Sequence, residues 1–303
     1  MGIGRRPAIE SLYQYNSSFD AVAVIDLAAR HGLTPTPGVV TNFIGAQIPP
    51  QVHPSRLMEL AGTVEGPPDP GNWHADIAEW AAALRCVNQS KDTFRIIELG
   101  CGWACWLTNT GVAARNAGLK VDLIGVEGNA QHLDNARETL ALNGFDAQDY
   151  TLFHGIAAPK TGQALFPAPN ADERIWNGEA VFYPDAATLE RAKADPAVQV
   201  LDCYPLSELS QNQRVDLLHI DIQGAERDYV LGNFPDIRRH VARILIGTHS
   251  RQIEGHLTAH FLAAGWRLEM ERPALVRIQK GRPKLAIDGV QMWANPQLTP
   301  DLT

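Results

Sequence analysis

"RIIELGCGWACW", residues 95–106, runs from a short apolar segment through an acid into a glycine turn and then a pair of tryptophans. Phe94 to Leu99 is apolar and too short for a helix of the core, which suits a buried strand. Gly100 and Gly102 let the backbone turn tightly and approach a ligand closely. Trp103 to Ala117 is rich in alanine and stops at Gly118, a helix terminator. Strand, glycine turn and helix in that order open an α/β unit. Position 105 is Cys, so the turn lacks the third glycine of the G-x-G-x-x-G dinucleotide fingerprint.

The pattern repeats on both sides. His74 to Cys86 is apolar at Ile77, Trp80, Ala81 and Leu84, which is helical spacing. Val121 to Val126 predicts a second strand. Asn129 caps a helix whose inner face is Ala130, Leu133, Ala136 and Leu140, ended by Asn143-Gly144. Tyr150 to His154, Val215 to Ile222 and Arg243 to Thr248 predict the third to fifth strands. Helices are expected from Ala225 and over His256 to Ala264, and Trp266–Met270 and Val290–Trp293 predict strands six and seventh. Alternating strands and helices joined by short links predict a mostly parallel, Rossmann-like sheet with helices on both faces. The ligand then lies beyond the carboxyl ends of the strands, where strand order reverses.

Residues 73–303 are expected to form this domain and residues 1–72 an arm or cap. The arm is punctuated by Pro35, Pro37, Pro49, Pro50, Pro54, Pro67, Pro68 and Pro70, a texture of short helices and extended pieces. Phe19 to His31 predicts one helix, stopped by Gly32. The arm's apolar residues need burial, and it is long enough to wrap a neighbouring subunit in a homo-oligomer. Residues 159–200 interrupt the domain as a long insert carrying Phe166, Trp176, Phe182 and Tyr183. Aromatics in such a loop can stack on sugar rings or other flat faces, so a substrate lid is expected there. Arg238-Arg239-His240 reads as a solvated face.

The 303 residues carry 26 Lys and Arg against 34 Asp and Glu, a net charge of −8. That balance, without a basic stretch laced with aromatics, argues against nucleic acid and anionic membrane as partners. Cys86, Cys101, Cys105 and Cys203 form no C-x-x-C pair and read as reduced thiols of a cytoplasmic protein. No apolar segment approaches the ~18 residues that span a membrane.

The residues after each strand define the ligand. Glu127 ends the second strand, 27 positions after Gly100, where an acid can accept hydrogen bonds from a ribose diol. Glu98 ends the first strand, where it would repel a pyrophosphate but can receive an ammonium group. A nucleoside with an amino-acid head and a sulfonium centre, S-adenosylmethionine, suits these acids better than a nicotinamide dinucleotide. After the fourth strand, Asp221, Gln223 and Glu226 gather around a glycine turn.

Three phrases carry a resemblance: "IIELGCG" (96–102), "VEGNAQHLDNARETLALNG" (126–144) and, most specifically, "VDLLHIDIQGAERDYVLG" (215–232). With "ILIGTHS" (244–250) and "FLAAGW" (261–266), residues 94–265 resemble the FkbM family of S-adenosylmethionine-dependent methyltransferases. His219 stands where that family usually has Lys, and Trp103 and Ala104 depart from its glycine turn. The resemblance implies a seven-stranded methyltransferase sheet with an antiparallel last strand. It implies methyl transfer to a hydroxyl, often on a sugar or natural product. It implies that Glu98, Gly100, Cys101, Gly102 and Trp103 line the methionine end of the cofactor, with Asp221 close by. Glu127, with Gly128 and Asn129, would hold the ribose, and His154, Gly155, Ile156 and Ala157 would lie near the adenine.

A hydroxyl nucleophile needs a base in reach or a metal to acidify it. His249, at the end of the fifth strand, is the expected base, with Asp221 as its orienter or as a substrate anchor. The alternative uses Asp221, Glu226 and His249 as ligands of a divalent, Mg²⁺-like ion. No spacing supports zinc. His219 reads as structural. The rival functions are a non-catalytic methyltransferase-like binding module and, on the same fold, a nicotinamide-dependent oxidoreductase.

Overall fold

In the computed structural model, residues 14–168 and 178–300 are described. Seven strands make the body: β1 (Thr93–Leu99), β2 (Lys120–Glu127), β3 (Tyr150–His154), β4 (Val215–Ile220), β5 (Val241–Thr248), β6 (Arg267–Arg272) and β7 (Gly289–Ala294). Their order is β6-β7-β5-β4-β1-β2-β3, and β7 runs antiparallel to both β5 and β6. This is the expected mostly parallel sheet with an antiparallel last strand. A two-residue strand, Asn16–Ser17, adds to the β6 edge.

Helices α1 (Ile77–Asn88), α2 (Cys105–Asn116), α3 (Ala130–Leu142), α4 (Glu226–Gly232), α5 (Phe234–His240) and α6 (Arg251–Ala263) cover the sheet. The strand pleat sorts its side chains between two cores. Ile96, Leu217, Leu245 and Met292 pack with Trp80 and Trp106 on one face. Ile97, Leu218, Ile220 and Ile246 pack with Tyr229, Phe261 and Trp293 on the other. Every residue of β4 is buried, which is why the strand is mostly apolar, with only Asp216 and His219 polar. Asp76, Asn129 and Ser250 cap α1, α3 and α6 by accepting from main-chain amides of the first turn.

The insert is a small sheet, not the open loop its composition suggested. Its four strands pair in the order Val181–Phe182, Gly162–Pro167, Val198–Tyr204, Ile156–Ala157, and Ile156, Ala164, Leu201 and Cys203 bury a core of their own. Phe166 and Phe182 belong to it, whereas Trp176 lies outside the described residues. Elements without a sequence signal include α5, the short helix Leu206–Ser210 and a hairpin of Leu275–Gln279 with Arg282–Ile287. The hairpin is largely exposed and so carries no alternating burial pattern.

Residues 14–72 lie against the body. The helix read at Phe19–His31 is shorter, Ala21–Ala28, because Asp20 caps it. Phe43 meets Trp80 edge-on at 4.9 Å. Val40, Ile48, Val52 and Leu57 close around Trp103 of the glycine turn. Among the described residues, no helix is long and apolar enough to cross a membrane.

Candidate functional site

Strand order reverses between β1 and β4, and there a cavity of about 880 Å³ opens beyond the strand ends. Gly100 to Trp103, Glu127 to Asn129, Gly155 to Ala157 and Asp221 line it, together with Glu98. His154 does not. Its Nε2 lies 3.1 Å from the Gly128 carbonyl, and the residue is exposed just outside the wall formed by Gly155 to Ala157.

The turn after β1 requires glycine. Gly100 has φ +73°, and a Cβ there would sit 2.0 Å from the Asp221 carbonyl oxygen. The first and fourth strand ends therefore touch through bare backbone. The Gly102 amide donates to Glu127 Oε2 at 2.9 Å, and the Asn129 amide to Glu127 Oε1 at 2.8 Å. Two main-chain donors thus hold the Glu127 carboxylate at the cavity wall, with lone pairs to spare.

Glu98 works on the backbone. It is 2% exposed, and its two oxygens accept from the Trp106 amide at 3.1 Å and the Leu107 amide at 2.9 Å. Ala104, the residue before α2, is left-handed and has no capping side chain, so Glu98 supplies the cap from the neighbouring strand. Burial pushes its carboxyl up to about 8. Glu98→Ala would strand both amides and is expected to cost about 1–3 kcal/mol, read from the urea midpoint.

Asp221, Glu226 and His249 come together as a hydrogen-bonded chain. His249 Nδ1 lies 2.7 Å from Glu226 Oε1, and its Nε2 lies 3.4 Å from Asp221 Oδ1. Glu226 is fully buried and also accepts from the Gly224 amide at 2.9 Å, fixing the turn. Burial opposes charge on His249, but the Glu226 hydrogen bond and the Asp221 carboxylate outweigh it and lift the imidazole to about 9. An imidazolium cannot take a proton, and His249 is absent from the cavity wall. The geometry sets His249 half-buried behind Asp221, with its protonated form favoured. Asp221 itself faces the cavity with its side chain 47% exposed. Desolvation by the cavity walls raises its carboxyl to about 6, while His249 pulls the other way. Among the described residues, no group of three or more His, Cys, Asp or Glu side chains is arranged to hold a metal ion.

Other wall residues come from segments with no legible motif. Trp73 stacks on Trp103 with centroids 5.7 Å apart, and Arg56 donates to the Trp73 carbonyl. His74 sits against Trp106, and Phe166 and Phe182 of the insert line the cavity as well. Glu79, Asp228 and Asp288 add acids.

The model of the methyltransferase FkbM domain matches residues 89–272. A putative methyltransferase from Jannaschia sp. (strain CCS1) is 52% identical over 268 residues, which is 88% of this chain and 96% of that one. Among solved structures, methyltransferase FkbM from Methylobacillus flagellatus KT aligns with a TM-score of 0.45 and 11% identity, over 72% of this chain and 54% of its own. The chain thus spans about half the length of that protein. The C-terminal domain of precorrin-6Y C5,15-methyltransferase from Rhodobacter capsulatus aligns with a TM-score of 0.39 and 13% identity, over 74% and 90%.

Proposed function

The chain belongs to the FkbM methyltransferase family, and from that premise we propose that it methylates a hydroxyl of a small-molecule or glycan acceptor, with S-adenosylmethionine as donor. The observation that carries this reading is the meeting of Gly100, Glu127 and Asp221 at one cavity. The bare turn at Gly100 admits a ligand close to the backbone. The clamped Glu127 carboxylate fits a ribose diol. The Asp221 carboxyl suits the positive end of such a donor. When bound, the donor supplies a methyl group already activated on sulfonium sulfur.

The chain's own residues then have two tasks. They hold a hydroxyl oxygen in line with that methyl group, and they remove its proton. Asp221 takes the proton: it faces the cavity, and a carboxyl raised to about 6 is nearer the working pH than an ordinary one. His249 keeps Asp221 ionised and oriented, and Glu226 holds His249. Trp73, Trp103 and the insert's Phe166 offer flat faces to a ring and exclude water. Glu79, Asp221, Asp228 and Asp288 make the wall acidic, which supports a neutral or cationic acceptor over a phosphate-rich nucleic acid.

Calorimetric titration with S-adenosylhomocysteine tests the donor. Micromolar binding that collapses in Glu127→Ala supports the reading, and absence of binding in folded protein overturns it. The pH profile tests the base. Below about 6 Asp221 is protonated and inactive, so the rate should climb as pH rises through that value. In His249→Gln the cation that lowers the Asp221 carboxyl is gone, and the rising limb should move to higher pH. An unmoved limb would show that His249 does not govern Asp221.

A further inference from the structure

Where the cavity meets the α1 face of the sheet, its wall holds two polar side chains to which the proton transfer above gives no task. His219 on β4 is 3% exposed, lines the cavity, and has no hydrogen-bond partner at either ring nitrogen among the described residues. Glu79, in the first turn of α1, lines the same cavity. Arg272, the cation beside Glu79, is already engaged by Asp76 and by the Asp288 carbonyl. Trp106 lies 5.7 Å from the His219 ring, and His74 lies 5.6 Å from Trp106. In the sheet register His219 sits beside Glu98, whose oxygens are taken by the start of α2.

We propose that Glu79 and His219 form an ammonium-binding recess in this cavity, with Asp221 at its rim and Trp106 and His74 as its aromatic wall. An ammonium group brings three donors and a positive charge. It therefore asks for acceptors, a carboxylate and aromatic faces, and the recess supplies each. The neutral imidazole of His219 offers a lone pair, since burial holds it at about 3. Burial and the Asp76 charge push the Glu79 carboxyl upward, so a cation entering beside it relieves an enclosed acid. A buried polar group left without a partner is costly, which is why a ligand that completes His219 binds well. The group that enters is either the α-ammonium of the donor's methionine head or an amine carried by the acceptor. The first source rests on the donor reading above, and the second does not.

Calorimetry on the full chain distinguishes them, with S-adenosylhomocysteine, with 5′-methylthioadenosine, which lacks the amino-acid head, and with ethanolamine. The variants are Glu79→Gln and His219→Leu. Weakening of S-adenosylhomocysteine by about tenfold or more, with 5′-methylthioadenosine unchanged, is the expected result and places the ammonium on the donor. If both nucleosides bind unchanged, loss of ethanolamine binding in the variants supports the recess and places the ammonium on the acceptor. Parallel weakening of both nucleosides marks a merely structural role and overturns the proposal, as does equal binding of all three probes by wild type and variants. If wild type binds neither nucleoside, the donor reading falls and ethanolamine binding to the free protein decides the recess. The thermal midpoint of His219→Leu should hold or rise, because the substitution removes an unpaired buried imidazole.

Discussion

Asp221→Asn is expected to lower the rate of methyl transfer by about 10²- to 10⁴-fold, the usual worth of a positioned base, while S-adenosylhomocysteine still binds. Asparagine matches the size of the side chain and retains a carbonyl oxygen within reach of His249. What it loses is the ability to take a proton. The rate is read as release of S-adenosylhomocysteine with any hydroxyl acceptor that the wild-type protein methylates. The residual activity should also lose its rise near pH 6, because the group that titrates there is gone. A variant that keeps both its rate and its pH limb would remove Asp221 from the chemistry. Rate loss that tracks loss of S-adenosylhomocysteine binding would instead make it a binding residue.

Gly100→Ala is expected to be the most damaging single-methyl change in the site. Alanine at φ +73° leaves the region that side chains favour, and its Cβ would have to share space with the Asp221 carbonyl oxygen 2.0 Å away. Strain and overpacking together cost about 2–6 kcal/mol. The neighbour is backbone, so the clash cannot be relieved by a rotamer change. Relief requires the β1 and β4 ends to part, which displaces the turn that leads to Glu127 and Asp221 alike. Urea denaturation should show the loss of stability, and calorimetry should show S-adenosylhomocysteine binding weakened beyond what unfolding explains. Wild-type stability and affinity in this variant would mean that the two strand ends have room the geometry does not show.

Much of the scaffold was legible along the chain. "RIIEL", "VDLIGV", "VDLLHI" and "RILIGT" are dominated by Ile, Leu and Val because both faces of their strands are covered, and their lengths suit strands better than helices. The glycines at 100 and 102 and the acid at 127 declared a ligand turn because backbone conformation and spacing are local properties. The insert sheet was less legible, since its short strands bury only a small core of their own. The hairpin at 275–287 was not legible at all, because solvent on its surface imposes no periodicity.

Roles at the site were harder to read than positions. Glu98 looked like a cofactor acid, yet its oxygens belong to the α2 amides eight and nine residues on. His249 looked like a group facing the acceptor, yet it stands behind Asp221 with its Nδ1 on Glu226. Glu79 and Trp73 gave no signal, since nothing in their neighbours announces which cavity they face. The sequence alone determined the alternation of strands and helices, the turn at Gly100 and the phrase around Asp221, because burial period and backbone freedom are written in consecutive residues. Only the tertiary structure decided which carboxyl caps a helix, which imidazole meets two carboxylates and which is buried without a partner, and which side chains share the cavity. Those properties depend on desolvation and on charges brought within a few ångströms from distant parts of the chain.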